Sequence, residues 1–191
     1  MTNILTIAAL ILGLVNFHPK VVHKHLPEQG LRDTSENYIV IHYDSSQSVN
    51  QAIRYLRKVR NSYHYIINRD GTIYKLIDPK YKANHAGASE WGGLYDLNNY
   101  SIGICLHNVP PQSYTQKQYL SAAWLIDVLR KRFNIPESHI LGHSDVAEPL
   151  GRKQDPGPKF DWLELFKSMK IFMVTDLNGN IHTRGRTYTG N

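Results

Sequence analysis

Three candidate metal ligands that lie far apart in the sequence constrain the fold of this chain most. His143 follows the apolar run at residues 140–142, and Asp155 comes twelve residues after it. Upstream, the apolar residues 38–41 predict a buried strand that delivers His42 at its end. Imidazole nitrogens and carboxylate oxygens are ligands that zinc accepts. We therefore expect a fold that brings His42, His143 and Asp155 to one ion.

Three protein ligands would leave the fourth position of a tetrahedral zinc ion open. Water at that position has its pKa lowered to about 7, which is typical of hydrolases. Lys153 stands two residues before Asp155, so its ammonium can reach the same cavity and stabilise an oxyanion. Taken alone, Lys153 could be a surface lysine and His42 a packed core histidine. Their combination with His143 and Asp155 favours the metal site.

The remaining pattern indicates an α/β fold with a mixed central β-sheet covered by helices. Apolar residues at helical spacing predict a helix over 48–60. Thr115 and Gln118 form a capping box that opens a second helix, and Asn134 with Pro136 closes it. Further elements are predicted as strands at 63–68, 72–77, 101–106 and 139–142, with a hairpin turn at Asp70-Gly71, and as a last helix from Asp161 to Met169.

Six short motifs in a fixed order carry a family resemblance. They are Ile39-Val40-Ile41-His42, Tyr63-His64-Tyr65-Ile66-Ile67, Asp70-Gly71-Thr72-Ile73, His85-Ala86-Gly87, Ser101-Ile102-Gly103-Ile104 and Gly142-His143-Ser144-Asp145, followed by Lys153-Gln154-Asp155-Pro156-Gly157. Each is weak alone, but in this order they resemble the zinc-dependent N-acetylmuramoyl-L-alanine amidases of type 2. That family also takes in phage lysozyme-type amidases and animal peptidoglycan recognition proteins.

The resemblance covers residues 38 to 166 and implies both an activity and a ligand set. It implies one Zn²⁺ per chain, held by His42, His143 and Asp155. It further implies cleavage of the amide between the lactyl group of N-acetylmuramic acid and L-alanine, in peptidoglycan or in muropeptides. A peptidoglycan-binding module that keeps the groove without turnover is the alternative. The complete ligand set favours the enzyme.

The resemblance also assigns catalytic roles to Lys153 and Tyr63. Many bacterial relatives carry a glutamate where this chain has Cys105, and that carboxylate is thought to accept a proton from the zinc-bound water. Phage lysozyme-type amidases share the cysteine and a tyrosine before the histidine, as in Tyr63-His64, so the Tyr63 hydroxyl could hold the water or the intermediate. A core aromatic is the alternative for Tyr63. Cys105 could instead be a nucleophile, although its place inside an apolar strand favours a buried hydrophobe.

Candidate substrate contacts come from family position and from the small-residue loop 85–93. That loop would let a bulky glycopeptide approach the metal, with Trp91 as an apolar wall for a sugar ring. Packing alone is also an adequate explanation for His64. The groove-lining candidates are His64, His85, Trp91, Asn99 and Cys105.

The domain boundaries follow from composition. Residues 4–17 are uncharged and mostly apolar, shorter than the roughly 20 residues of a spanning helix, so 1–17 is expected to be a signal or anchor segment. Export to the cell envelope or secretion is then expected, with possible membrane association, and a cytoplasmic location is the alternative. A buried N-terminal helix is the competing interpretation. Residues 18–37 are expected to be an exposed linker, 38–169 the catalytic domain, and 170–191 an extension with a possible hairpin at Asn178-Gly179.

The charge pattern argues against a nucleic-acid site, and the cysteine count excludes sites and folds that need several cysteines. The formal net charge of +6 attracts polyanions in general, cell walls and nucleic acids alike. The basic residues of the predicted helix 48–60 have a single aromatic residue, Tyr55, among them, which is too few for a base-stacking platform. A solvated helix face is therefore favoured over a nucleic-acid site. The single cysteine excludes an internal disulfide framework and a thiolate-rich zinc site.

Overall fold

The computed structural model describes residues 17–33 and 37–173, and the strands of these residues form a mixed sheet. In chain order the elements are β1 (Val21–His23), β2 (Tyr38–His42), α1 (Val49–Val59), β3 (Tyr65–Ile67), β4 (Ile73–Lys75), β5 (Glu90–Trp91), β6 (Leu94–Tyr95), β7 (Ser101–Leu106), α2 (Gln116–Phe133), β8 (Ile140–Gly142), α3 (His143–Val146) and α4 (Trp162–Met173). Six strands form one sheet in the order β1-β4-β3-β7-β2-β8, and β5 pairs with β6. Strands β3, β7, β2 and β8 run parallel, whereas β4 is antiparallel to β3. The predicted α/β fold with a mixed central sheet is confirmed.

Side-chain alternation gives the sheet two different faces. On one face, Ile39, Ile41, Ile102 and Ile104 pack in a fully buried apolar core together with side chains of α2 and α4. On the other face, Ile66 and Cys105 pack with side chains of α1. His42 shares this second face, because it stands at an even position of β2 and pairs with Cys105 of β7. The candidate ligands therefore lie on the face that α2 and α4 leave uncovered.

The helix boundaries follow local capping chemistry. Ser48 caps α1 by accepting a hydrogen bond from the backbone N–H of Gln51. Thr115 and Gln118 make the predicted capping box at the start of α2, and Asn134 ends that helix in the left-handed conformation. The last helix, α4, runs to Met173, beyond the predicted end at residue 169.

Parts of residues 18–33 are built into the fold, whereas an exposed linker was expected there. Its residues 21–23 form β1, which pairs in parallel with β4 at the edge of the sheet. Leu26 is buried, and the buried guanidinium of Arg32 donates to the carbonyl of Pro79 at 2.9 Å. A strand of three residues is too short to give a readable apolar alternation, so the sequence pattern could not distinguish it from a linker.

The expectations for the two chain ends fall mostly outside the described residues. This applies to the apolar run before Phe17 and to the possible hairpin at Asn178-Gly179. Phe17 itself packs its ring 6.2 Å from that of Phe172 in α4. Within 17–33 and 37–173, no helix combines the length and apolar character needed to cross a membrane.

Candidate active site

Strand pairing brings the two candidate histidine ligands together. Strand β2 lies beside β8, and Ile41 pairs with Gly142, so His42 and His143 follow at neighbouring strand ends. His143 is the first residue of the short helix α3. The pairing of β2 with β8 therefore brings the two histidines close together in space, although they lie far apart in the sequence.

Asp155 reaches the same point through a loop that packs tightly on β8. The backbone N–H of Ser144 donates to the carbonyl of Asp155 at 2.9 Å. Gly142 permits this approach, because a Cβ at that position would lie 2.9 Å from Cδ of Pro156, closer than real side chains tolerate. Close packing against Pro156 therefore explains why the Gly-His-Ser-Asp motif begins with glycine.

Side-chain atoms of His42, His143 and Asp155 converge at one point, which is called the corner below. Nδ1 of His42 and Nδ1 of His143 lie 3.1 Å apart, and Oδ2 of Asp155 is 2.9 Å from each of them. All three residues are buried. They form a group of side chains that could hold a metal ion, as the sequence predicts.

The hydrogen bonds around the corner leave lone pairs facing inward. Nε2 of His143 lies 2.8 Å from the carbonyl oxygen of Ala86, which can only accept, so Nε2 carries the hydrogen. In the neutral imidazole, Nδ1 of His143 is then an acceptor that faces the carboxylate of Asp155. Two acceptors at 2.9 Å repel one another unless a proton or a metal ion lies between them.

The electrostatics of the corner fit a cation as well. Burial lowers the pKa of His42 to about 4, so His42 is neutral at pH 7. Neutral imidazole is the form of histidine that binds a metal ion.

The corner opens into a cleft of about 470 Å³. Lys153 lies exposed at its rim, and Tyr63 lies inside, with its ring centre 5.0 Å from that of His42. Burial raises the pKa of Tyr63 well above 10, so its hydroxyl stays protonated. Residues that line the cleft include Tyr43, Asp44, Tyr55, Asn61, Tyr63, Asn84, His85, His143, Arg152, Lys153 and Asp155. The structure thus brings both predicted catalytic side chains to the cleft that His143 and Asp155 also line.

His85 is also placed as the sequence suggests, at the wall of the cleft. Its Nδ1 lies 3.0 Å from Nε2 of His42. Its ring therefore contacts a candidate ligand directly, and a contact with substrate stays a prediction.

The expectation that His64 lines the groove is wrong. His64 is fully buried, its Nδ1 accepts from the backbone N–H of Gly103 at 2.9 Å, and its Nε2 lies 2.9 Å from the carbonyl of Tyr81. Both ring nitrogens are used inside the protein, which makes His64 a structural link between β7 and the loop at Tyr81.

Acidification is expected to destabilise the metal-free protein through His64. Burial lowers the pKa of His64 to about 4, against about 6.5 in an unfolded chain, so unfolding takes up a proton between these pH values. This contribution to stability is intact above pH 6.5 and is lost as the pH falls towards 4, by up to about 3 kcal/mol. Urea unfolding of metal-free protein at pH 7, 6, 5 and 4.5 measures it. A free energy of unfolding that stays constant over this range would contradict the assignment.

The expectation that Cys105 contacts substrate is also wrong. Its side chain has no exposed surface and packs with Ala52 and Leu56 of α1 and with Ile66 of β3. Burial raises the pKa of the Cys105 thiol well above its ordinary value, which disfavours a nucleophilic thiolate.

Cys105→Ala is therefore expected to keep activity within about twofold of wild type and to lower the free energy of unfolding by about 1 kcal/mol, because only a small buried group is removed. Hydrolysis assays and urea unfolding measure the two effects. A thiol reagent should leave the folded wild-type protein unmodified. Inactivation by that reagent, with chelators harmless, would reverse the assignment.

Trp91 and Asn99 lie outside the described lining of the cleft. Trp91 is partly exposed on β5, and the side-chain amide of Asn99 donates to Asp96 at 2.9 Å. The structure does not bring these two residues together with the three donors. The strand pair β5–β6 makes residues 90–95 a small hairpin, which the small residues of the loop 85–93 did not indicate.

Two side-chain contacts to the loop at His85 are not apparent from the sequence pattern. Oδ1 of Asn98 accepts from the backbone N–H groups of both His85 and Ala86 at 2.8 Å. The side chain of Arg152 donates to the carbonyls of Ala86 at 2.9 Å and Ala88 at 2.6 Å. Both roles are contacts to backbone atoms of a distant loop, for which residue type gives little signal.

A further carboxylate, that of Asp44, lines the cleft. It forms a buried pair with His107, whose Nδ1 is 2.9 Å from each carboxylate oxygen. The signal in the sequence is spacing. Asp44 stands two residues after His42, and His107 stands two residues after Cys105 on the neighbouring strand.

Comparisons with known proteins agree with this geometry. Residues 32–158 match the family described as N-acetylmuramoyl-L-alanine amidase. The 1,6-anhydro-N-acetylmuramyl-L-alanine amidase AmpD of Citrobacter freundii is 38% identical over 104 residues, which are 54% of either chain. The N-acetylmuramoyl-L-alanine amidase AmiD of Escherichia coli is 31% identical over 143 residues, which are 66% of this chain and 51% of AmiD. The chain spans about half the length of these curated relatives.

Solved structures show the same fold. A complex of E. coli AmiD with the substrate anhydro-N-acetylmuramic acid-L-Ala-D-γ-Glu-L-Lys has a TM-score of 0.65 at 27% identity, over 75% of this chain and 60% of that one. AmpDH3 from Pseudomonas aeruginosa, in complex with an anhydromuramic pentapeptide, has a TM-score of 0.63 at 26% identity, over 75% of this chain and 65% of that one. By its motifs, its fold and the match over residues 32–158, the chain belongs to the type 2 N-acetylmuramoyl-L-alanine amidase family.

Proposed function

We propose that this protein is a zinc-dependent hydrolase that cleaves the amide between N-acetylmuramic acid and L-alanine in muropeptides. The observation that carries the proposal is the convergence of three buried donor atoms, each within 3.1 Å of the others, at the bottom of a cleft that also holds Lys153 and Tyr63. A binding module would need the cleft but not the donors.

The donor set fits zinc. Ligand atoms on a tetrahedral zinc ion lie about 3.3 Å from one another, close to the separations in this corner. His42, His143 and Asp155 would hold the ion through Nδ1, Nδ1 and Oδ2. When bound, zinc supplies a Lewis acid that activates water at neutral pH and polarises a carbonyl.

The remaining polar groups of the cleft stabilise charge on the substrate. The ammonium of Lys153 can donate to the amide carbonyl oxygen as negative charge develops there. The Tyr63 hydroxyl, which burial keeps protonated, can donate to the same oxygen or orient the attacking water. Hydrolysis adds one water across the C–N bond, giving a carboxylic acid on the lactyl group and a free amine on L-alanine.

The printed names of the relatives support a substrate class. AmpD of C. freundii is named for 1,6-anhydro-N-acetylmuramyl-L-alanine, and the AmiD and AmpDH3 structures hold anhydromuramyl peptides. We therefore propose soluble anhydromuramyl peptides as substrates of this chain, with reducing muropeptides and polymeric wall as the classes to compare.

A direct test uses purified protein, anhydromuramyl tripeptide and a chelator. Stem peptide is expected to be released by the zinc-loaded protein and not by the chelated protein, and readdition of zinc should restore release. Binding to the substrate without release in the zinc-loaded sample would establish the binding module instead. Parallel incubations with a reducing muropeptide and with insoluble wall rank the three substrate classes by kcat/KM.

We also propose a location in the cell envelope, supported by the uncharged apolar run at residues 4–17. Fractionation of the native cells, with sequencing of the mature N-terminus, tests it. Recovery of the intact chain in the cytoplasmic fraction would overturn this location.

A further inference from the structure

We infer that the dipeptide His85-Ala86 positions both candidate histidine ligands, by fixing the tautomer of His42 with a side chain and that of His143 with a carbonyl. This inference rests on the proposed metal-dependent function. His85 is a positioning residue in this role, because it acts through His42.

The Ser101 hydroxyl determines which atoms donate and which accept in this series of hydrogen bonds. Its hydroxyl donates its one hydrogen to the carbonyl of Leu97, so its oxygen is left as an acceptor. Nε2 of His85 lies 3.4 Å from that oxygen. The hydrogen of the His85 imidazole is therefore on Nε2, and Nδ1 of His85 carries a lone pair.

That lone pair determines the state of His42. Nδ1 of His85 lies 3.0 Å from Nε2 of His42, so Nε2 of His42 is the donor of this bond. The hydrogen of neutral His42 is then on Nε2, and its Nδ1 lone pair points at Nδ1 of His143 and at the carboxylate of Asp155. Without an acceptor at His85, the hydrogen of His42 could move to Nδ1, where it would donate to Asp155 and block the ligand atom.

Ala86, the next residue, fixes the tautomer of His143 in the same way. The carbonyl of Ala86 accepts from Nε2 of His143 at 2.8 Å and from the guanidinium of Arg152 at 2.9 Å. This leaves Nδ1 of His143 free to face Asp155. Hydrogen bonds from ligating histidines to such outer partners set the tautomer and orient the ring.

The position of the dipeptide is itself fixed from three sides. Asn98 accepts from both of its backbone N–H groups, and Arg152 holds its carbonyl. The ring of His85 lies against the backbone of Gly103, where a Cβ would come within 2.6 Å of it. Gly103 in the middle of β7 thus leaves room for an imidazole that no other residue at this position would admit.

The test compares two variants of full-length protein. His85→Asn places a side-chain oxygen near the former Nδ1 and keeps an acceptor for His42, whereas His85→Leu fills similar volume without one. We expect His85→Leu to weaken zinc binding by about 10- to 100-fold and His85→Asn to stay within about threefold of wild type. Competition with a fluorescent chelator measures the affinity, and the visible spectrum of the Co²⁺-loaded protein reports the ligand geometry. Wild-type affinity and an unchanged Co²⁺ spectrum in His85→Leu would overturn the inference.

A second measurement does not depend on the folding of any variant. Two-bond ¹⁵N–¹H correlations of metal-free wild-type protein at pH 7 read the tautomer of each histidine ring. The expected pattern is hydrogen on Nε2 of His42, His85 and His143. Hydrogen on Nδ1 of His42 overturns the inference whatever the variants do. The proposed function fails separately, if muropeptide hydrolysis proceeds in the presence of chelator.

Discussion

Asp155→Asn is expected to abolish zinc binding at micromolar zinc and to lower kcat/KM by about 10³-fold or more. The substitution removes the one charged donor of the three and replaces it with an amide that neutralises none of the charge of the ion. Loss of the Lewis acid removes several kcal/mol of transition-state stabilisation. Muropeptide hydrolysis and metal content by atomic absorption measure the two effects on the same protein sample.

The stability of the metal-free variant provides the control. In metal-free wild type, the carboxylate of Asp155 faces the lone pairs of His42 and His143 at 2.9 Å. A side-chain amide in place of this carboxylate could donate to one of those nitrogens, which is worth about 1 kcal/mol. Metal-free Asp155→Asn should therefore unfold at the same urea concentration as metal-free wild type or at a higher one. Full zinc content and activity in this variant would remove Asp155 from the site.

Lys153→Met is expected to lower kcat by about 10²- to 10³-fold while zinc affinity stays unchanged. Its ammonium lies at the rim of the cleft and is not a donor of the metal corner, so its loss removes charge stabilisation only as the oxyanion forms. Methionine keeps the length and the apolar stem of the lysine side chain but removes its charge. Steady-state kinetics on anhydromuramyl tripeptide and chelator competition measure the two quantities.

Lys159→Met is the matched control for Lys153→Met. Lys159 is exposed, lies in the same stretch between β8 and α4, and is outside the described lining of the cleft. Its substitution removes an equal charge at a distance from the reacting amide, so kcat should change by less than about twofold. Equal losses in both variants would indicate a general effect of net charge on substrate capture rather than a catalytic ammonium.

The elements with strong local signals could be predicted from the sequence. The boundaries of β2 and β7 follow their continuous apolar runs, and the start of α2 follows the capping box at Thr115. The three donors were predictable because a strand end, a Gly-His motif and an aspartate after a lysine each restrict the possibilities. Their joint presence indicated a candidate metal site.

The wrong predictions for His64 and Cys105 concern which side chains of the sheet are covered by other segments. Alternation places His64 and Cys105 on the same face as His42, and the sequence gives no sign of which part of that face is covered. In the structure, α1 covers Cys105, and the loop at Tyr81 takes up the imidazole of His64. Coverage depends on how distant segments pack, which neither periodicity nor family position specifies.

The central position of β2 has a thermodynamic consequence for the proposed metal binding. Parallel neighbours on both sides, β7 and β8, already engage the backbone that carries His42, so the cost of ordering this ligand is met when the chain folds. Little entropy then remains to be lost when an ion arrives. A metal ion that binds only the folded chain should raise the free energy of unfolding with the logarithm of its free concentration once that concentration exceeds Kd.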